Sequence, residues 1–533
     1  MLHKALSFSK LPYLIMVLFF LLLSWIASGW LDIDILRSKS LDEYVFHRVI
    51  LNIHEGFLNF DLKQIFSIYF YLYGFPFFFL NYLLVLPFLN LETNLIVFLP
   101  RIISTFSMYM TWLFLHKLIV LKNTDIWIVY LILVLFMFMP GVWLNATWFH
   151  PDFLMTWMMV ISIYLLFVSK FSFNHYFLLS IVAWSLAISI KFQAVMLAPL
   201  YGWLFLDRVF NSNSKTEILR QLIITTSIVL LTYLILNPYL LHPDGIMAWL
   251  DSAMFEFKKN SVDDIAILDK LENTFLSFFI SKIIFICICS ISIYLIFKDI
   301  ITKSFTFEGA ISFCYLVNLC LLIIFSNKLW PHYYLPLGIF ALIILGIELP
   351  RLKSFVNNKY IYISVLIILA SSQIYSNGND LLMHFEKRMQ NEAVKYDELN
   401  NTFFLSEEKE LEKLLSLQKL LEKNIAQDSQ IISSDYINVP MKRLGLKQQN
   451  NTLIYEKLNI IHAKKLRQSK SNINFIISYV DEDFISIQNK GDKIYASFSD
   501  KEFDLNIKKY FIFKEILFQN DIVILTLEKR NII

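Results

Sequence analysis

The chain has 533 residues, 57% of them hydrophobic and 16% aromatic, with only 17% charged and a mean hydropathy of +0.56, a balance that excludes an ordinary soluble protein of this length. A formal net charge of +3 gives no basis for binding nucleic acid or a strongly acidic partner. Cys287, Cys289, Cys314 and Cys320 all lie inside apolar runs, which excludes a disulfide framework or a zinc motif in the aqueous parts.

In chain order, the first apolar run, Leu11 to about Trp30, follows Lys4 and Lys10 and is long enough to span; it reads as a retained signal-anchor helix. A long polar connector follows, opening an outer loop at 31–94 that holds Asp32, Asp34, Asp42, Glu43, His47, Arg48, His54, Glu55 and Asp61. Most of these are residues of a solvated loop. Asp42 and Glu43 differ, because Tyr44 and Phe46 follow at once and set them against a buried surface. Acids held at a membrane surface are costly, so such a pair marks a candidate site.

The stretch 69–89 is apolar enough to span but is interrupted by Gly74, Pro76, Asn81 and Pro87. Further apolar segments run over 95–115, 126–142, 153–169, 176–190, 193–209, 220–240, 276–297, 309–326, 333–350 and 359–375. With the first run they make about eleven spans. If 69–89 lies in the interface, Lys4/Lys10, Lys117/Lys122, Lys170, Arg208/Lys215/Arg220, Lys298/Lys303 and Arg351/Lys353/Lys359 fall on one side, the cytoplasmic one. Both acidic motifs then face outward. Were 69–89 to cross, the later basic clusters would land outside, so the interfacial reading is preferred.

Several polar residues punctuate the outer ends of these segments. Arg101 stands in Leu-Pro-Arg-Ile-Ile-Ser, and His150-Pro151-Asp152 opens the segment 153–169. Lys191 stands between two segments, Asn237-Pro238-Tyr239-Leu240 closes another, and Lys328 precedes Pro331-His332-Tyr333-Tyr334-Leu335-Pro336. Each has an ordinary explanation: proline with an acid in the first turn is helix-capping chemistry, and a lone cation snorkels to headgroups. What favours function is that they share one face, where an anion such as a lipid phosphate would need cationic partners.

From about Asn377 the sequence turns polar. It reads as an amphipathic helix from Phe385 to about Asn424, a strand at Ile473–Val480, and a hairpin through Tyr510–Phe513 and Asp521–Leu527. The expected organisation is a transmembrane domain over 1–375 and a soluble α/β domain over 376–533, the latter on the same side as the acids.

Taken in order, the Asp42-Glu43 pair, Arg101-Ile-Ile-Ser, Pro151-Asp152, Lys191, Asn237-Pro-Tyr-Leu and His332-Tyr-Tyr-Leu-Pro resemble the polyprenyl-phosphate-dependent membrane glycosyltransferases of the GT-C fold. The branch that looks most similar is family 39, the protein-mannosyltransferases and aminoarabinose transferases. The ordered set carries the resemblance across roughly residues 1 to 375. Where the family often has His-Pro-Pro before its interfacial helices, this chain has Tyr73-Gly-Phe-Pro76.

The resemblance implies a polytopic α-helical membrane protein with interfacial helices that transfers a sugar from a polyprenyl-phosphate donor to a lipid, glycan or protein acceptor, with inversion. In that scheme Asp42 is the general base, Glu43 and Asp152 orient the acceptor, hold Asp42 in position or bind a cation, and Lys191, Arg101, Lys328 and His332 hold the departing phosphate. Tyr44, His150, Tyr333 and Asn237 are expected to line the substrate site. No cofactor is required, although two acids are able to share a divalent metal. The composition, rich in Ile, Asn, Lys and Phe, suits an AT-rich bacterial genome and hence an inner membrane with a cytoplasmic N-terminus and a periplasmic tail. Two other classes stay open: a polysaccharide polymerase or ligase, and a transporter or flippase of lipid-linked sugars. Transporters concentrate charge near the membrane midplane and repeat their halves, and neither feature is visible here.

Overall fold

A computed structural model describes residues 2–68, 72–89, 94–122, 125–211, 214–259, 270–325, 331–355, 359–396, 402–422, 425, 429–434, 438–439, 444, 452–455, 460–468, 471, 473–479, 485–490, 493–519 and 522–530. The chain divides into two compact units, one made of Met1–Gly29, Val49–Gln390 and Tyr396–Phe403, the other of Trp30–Arg48, Asn391–Lys395 and Phe404–Ile533.

The first unit is a helical membrane bundle. Among the described residues, seven helices are long and apolar enough to cross a bilayer, or eight if the bent pair Ile126–Met137 and Pro140–Ala146 is one span. The remaining predicted spans fall on the shorter helices Asp152–Val168, His175–Ile190 and Ala198–Asn211. The protein is therefore a multi-pass membrane protein. Helix Asp152–Val168 packs against both Leu95–Lys122 and His175–Ile190, which explains its buried Phe153, Met155, Met159 and Ile163.

Local chemistry sets the helix ends. Asp125 accepts from Trp127 N at 3.1 Å and Asn174 from Phe177 N at 3.1 Å, each satisfying an amide that has no partner within its helix. The sequence reads 126–142 as one straight span, but the structure bends it by 64°. Pro140 is the cause: it has no N–H to donate and drives Met139 into an extended conformation (φ −96°, ψ 109°). The stretch 69–89 forms the helix Phe75–Val85, continued by one tight turn to Phe88; Phe75, Phe77, Phe78, Asn81, Tyr82 and Val85 are buried, and residues 69–71 lie outside the described residues.

The second unit is α/β. Among the described residues, its largest sheet has five strands in the order 452–455, 431–434, 473–479, 522–529, 511–519; the first three are parallel to one another, and 522–529 pairs antiparallel with both 473–479 and 511–519. Side chains alternate between two buried faces. Ile432, Ile476, Val523, Leu525 and Leu527 pack with Leu466, Phe503 and Ile507 of two helices. Ile431, Phe475, Ile477 and Ile524 pack with Leu417 and Leu421 of a third. The expected hairpin is present, with a bulge between Phe513 and Glu515.

One expectation for this region fails. No single helix runs from Phe385 onward to Leu421: the helix Lys359–Met389 ends, Asn391 just beyond it is left-handed (φ 53°), strands follow at Glu392–Tyr396 and Thr402–Ser406, and a new helix spans Glu407–Leu421. Asparagine tolerates the left-handed conformation that ends a helix, and Ser406 caps the next one by accepting from Lys409 N at 3.5 Å. A charge pattern continuous across the break hides it from periodicity alone.

Candidate active site

The helical unit brings five of the sequence-predicted site residues together: Asp152, Lys191, His150, His332 and Tyr333. Asp152 is fully buried; its Oδ1 accepts from Lys191 Nζ at 2.8 Å, and its Oδ2 faces His150 Nδ1, from which an N–H donates. The His150 ring lies 4.6 Å from that of His332, and the His332 ring lies 4.4 Å from that of Tyr333, tilted against it. The Lys191 ammonium sits over two rings, 5.2 Å from Tyr73 and 4.8 Å from Tyr333. A carboxylate this buried needs its cation; cation–π contact on two faces further restrains the ammonium.

Backbone geometry explains how Lys191 comes to be there. It is the first residue beyond helix His175–Ile190, extended at φ −151° and ψ 124°, and it pairs antiparallel with Tyr73. Gly74 N donates to Ile190 O at 2.8 Å and Phe192 N to Leu72 O at 3.0 Å, bracketing the pair so that both side chains leave on the same face. Position 74 must be glycine, because a Cβ there would lie 1.5 Å from Ser189 O. Asn237 completes the strap: its Oδ1 accepts from Phe75 N at 2.9 Å while its Nδ2 donates to Tyr233 O at 3.0 Å. This predicted substrate contact caps a helix.

The other side of the cluster is held by the Arg-Ile-Ile-Ser segment. Ser104 Oγ donates to His150 O at 3.2 Å and Thr105 Oγ1 to Ala146 O at 2.7 Å. Arg101, also predicted to hold phosphate, is fully buried and donates to Ala27 O at 3.0 Å and Gly29 O at 2.6 Å, closing the carbonyl end of the first helix. Gln193 donates to Tyr333 O at 2.6 Å and so ties the Lys191 loop to the His332 turn. Lys328 lies outside the described residues.

The acidic pair belongs to the other unit, in the first turn of helix Leu41–Leu58, where carboxylates complement the helix dipole. Its two members have different surroundings. Glu43 is buried, 3.9 Å from Lys39 Nζ, and its N–H donates to Ser40 Oγ at 3.3 Å. Asp42 is half-buried and the more accessible of the two, while Tyr44 is buried.

Sequence reading missed Tyr73 and Gln193 as parts of the site. The signal was present for Tyr73, in the departure Tyr73-Gly-Phe-Pro76 from the family pattern, but what the tyrosine does depends on a pairing with Lys191 more than a hundred residues away. Among the described residues, no group of three or more His, Cys, Asp or Glu side chains is arranged to hold a metal ion; Asp152 is committed to Lys191 and His150.

No family model and no curated protein sequence matches the chain. Solved structures do. ArnT from Cupriavidus metallidurans bound to undecaprenyl phosphate aligns over 97% of this chain and 98% of its own, with a TM-score of 0.58 at 10% identity. Its apo state aligns over 90% and 93%, with a TM-score of 0.52 at 10% identity. The archaeal oligosaccharyltransferase AglB from Archaeoglobus fulgidus, in complex with an inhibitory peptide and a dolichol-phosphate, covers 87% of this chain and 69% of its own, with a TM-score of 0.51 at 10% identity. The chain has the fold of these proteins, the GT-C fold anticipated from its motifs.

Proposed function

We propose that the protein is a membrane glycosyltransferase that moves a sugar from a polyprenyl-phosphate donor to a hydroxyl-bearing lipid, glycan or protein on the outer face of the membrane. The observation that carries this reading is the buried Lys191, held by Asp152 between two tyrosine rings and beside two histidines, in a fold whose solved examples include one bound to undecaprenyl phosphate. A pinned cation with imidazole neighbours suits a phosphate monoester that gains charge as it leaves.

The chemistry follows from these groups. The acceptor oxygen forms a bond to the anomeric carbon, the bond from that carbon to the phosphate oxygen breaks, and the configuration inverts. Asp42 takes the acceptor proton as general base, the lipid phosphate departs with the bonding electron pair, and Lys191 with His332 stabilises its charge. Asp152 orients Lys191 and His150 and performs no proton transfer. Glu43 supports the segment that carries Asp42.

The test is transfer itself. Protein reconstituted in liposomes and supplied with undecaprenyl-phosphate-linked hexoses and aminopentoses, together with lipid A, glycan or peptide acceptors, is expected to consume donor and release undecaprenyl phosphate. Accumulation of a solute inside the liposomes with no donor consumed would replace the enzyme by a transporter. The orientation has its own check: Ser416→Cys, at an exposed position on the helix Glu407–Leu421, is expected to react with a membrane-impermeant thiol reagent in intact spheroplasts. Labelling only after lysis would put this unit in the cytoplasm.

A further inference from the structure

The C-terminal α/β unit does not consist of the tail alone. It includes Trp30–Arg48, the segment that runs from the end of the first helix through the acid pair. Trp30 is buried to 2% exposure and clusters with Ile35, Ala393 and Leu414, flanked by Leu405 and Leu411. Its backbone N–H points to Glu407 Oε2 at 3.4 Å, at the first residue of the helix Glu407–Leu421. Trp30 also has a left-handed backbone, φ 55°, which is unfavourable for a bulky residue and is kept only where the surroundings over-determine it. From this anchor the chain runs through the turn at Asp32, whose Oδ1 accepts from Asp34 N at 3.0 Å, and through buried Ile33, Asp34, Ile35 and Leu36 to Ser40 and the acid pair.

We infer that the C-terminal domain is a positioning element for the general base: its helix Glu407–Leu421 provides a socket for Trp30 and Ile35, and that socket holds the segment bearing Asp42 and Glu43 in its working conformation. The inference rests on the proposed role of Asp42. The physical reason is entropic. A connector of this length held only at its membrane ends would sample many backbone states, and each residue left unordered dilutes the productive geometry of the carboxylate. Burying Trp30 and Ile35 against Leu414 removes that freedom close to the acids. The tail thereby contributes to turnover without its residues touching substrate.

Leu414→Ala tests this from the tail side. Hydrogen exchange on the full-length protein in detergent micelles is expected to speed up by about tenfold or more in residues 30–48 and to stay unchanged in the helix Leu95–Lys122. With the donor that the wild-type protein turns over, kcat is expected to fall by about tenfold, while affinity for undecaprenyl phosphate alone stays within about twofold. Trp30→Ala combined with Leu414→Ala is expected to lower kcat little further than either alone, since both break one contact. Leu414→Val, the milder truncation, carries the same measurements if Leu414→Ala does not accumulate. Unchanged exchange in residues 30–48, or faster exchange with unchanged kcat, would overturn the inference, as would an equal loss of kcat and of undecaprenyl phosphate affinity. Asp42→Asn measured alongside separates the two readings. If Asp42→Asn is inactive and Leu414→Ala keeps its kcat, only the positioning role fails; if Asp42→Asn is active, the base assignment fails.

Discussion

Asp42→Asn is expected to reduce sugar transfer by about 10²- to 10⁴-fold, the range that a general base contributes. The two members of the acid pair have different surroundings. Glu43 is buried beside Lys39, so its charge is taken up locally, whereas Asp42 is half-buried in the same first helical turn and accessible to an incoming hydroxyl. Asparagine keeps the size and the hydrogen-bonding oxygen of aspartate but cannot take a proton at neutral pH, so the loss is expected in kcat. Affinity for undecaprenyl phosphate, measured separately, is expected to stay as in the wild type, because the proposed phosphate ligands lie elsewhere in the sequence. Transfer at more than about a tenth of the wild-type rate would remove Asp42 from the role of base.

Lys191→Met is expected to damage both stability and phosphate binding, and a second substitution pulls the two effects apart. Removing the ammonium leaves Asp152 fully buried with its cation gone, a change that costs about 3–5 kcal/mol for a buried pair. The thermal midpoint in detergent is expected to drop accordingly. Undecaprenyl phosphate affinity is expected to fall by about tenfold or more, the scale of one charge-assisted hydrogen bond. Adding Asp152→Asn neutralises the stranded carboxylate, so the double variant is expected to regain most of the midpoint but none of the affinity. If Lys191→Met binds undecaprenyl phosphate as tightly as the wild type, Lys191 does no more than neutralise Asp152. The proposed leaving-group site would then have to be sought at other residues.

Much of this site was legible because its parts carry costs that sequence alone exposes. Asp152 at the end of an apolar run and Lys191 between two others are expensive in a membrane, and expense marks them before any fold is known. Their pairing was not legible, since it joins two helix ends through side chains and spacing gives no direction. Asn237 and Arg101 show the converse. Each is buried and polar, as a site residue would be, and each also binds backbone groups: an amide of helix Phe75–Val85 for one and the carbonyls of Ala27 and Gly29 for the other. A polar residue at a helix end reads the same whether it serves a ligand or a helix terminus.

The sequence by itself determined the solvent, the apolar membrane helices and the alternation of strand Ile473–Tyr479 and the last hairpin, because hydropathy and periodicity are local properties that bilayer and core select directly. Tertiary structure alone decided that Lys191 meets Asp152 across a bridge to Tyr73, and that Trp30–Arg48 folds with the C-terminal domain. Both are contacts between segments far apart in the chain. Their free energy comes from burial and pairing that exist only once the whole fold has excluded water, so no local pattern encodes them.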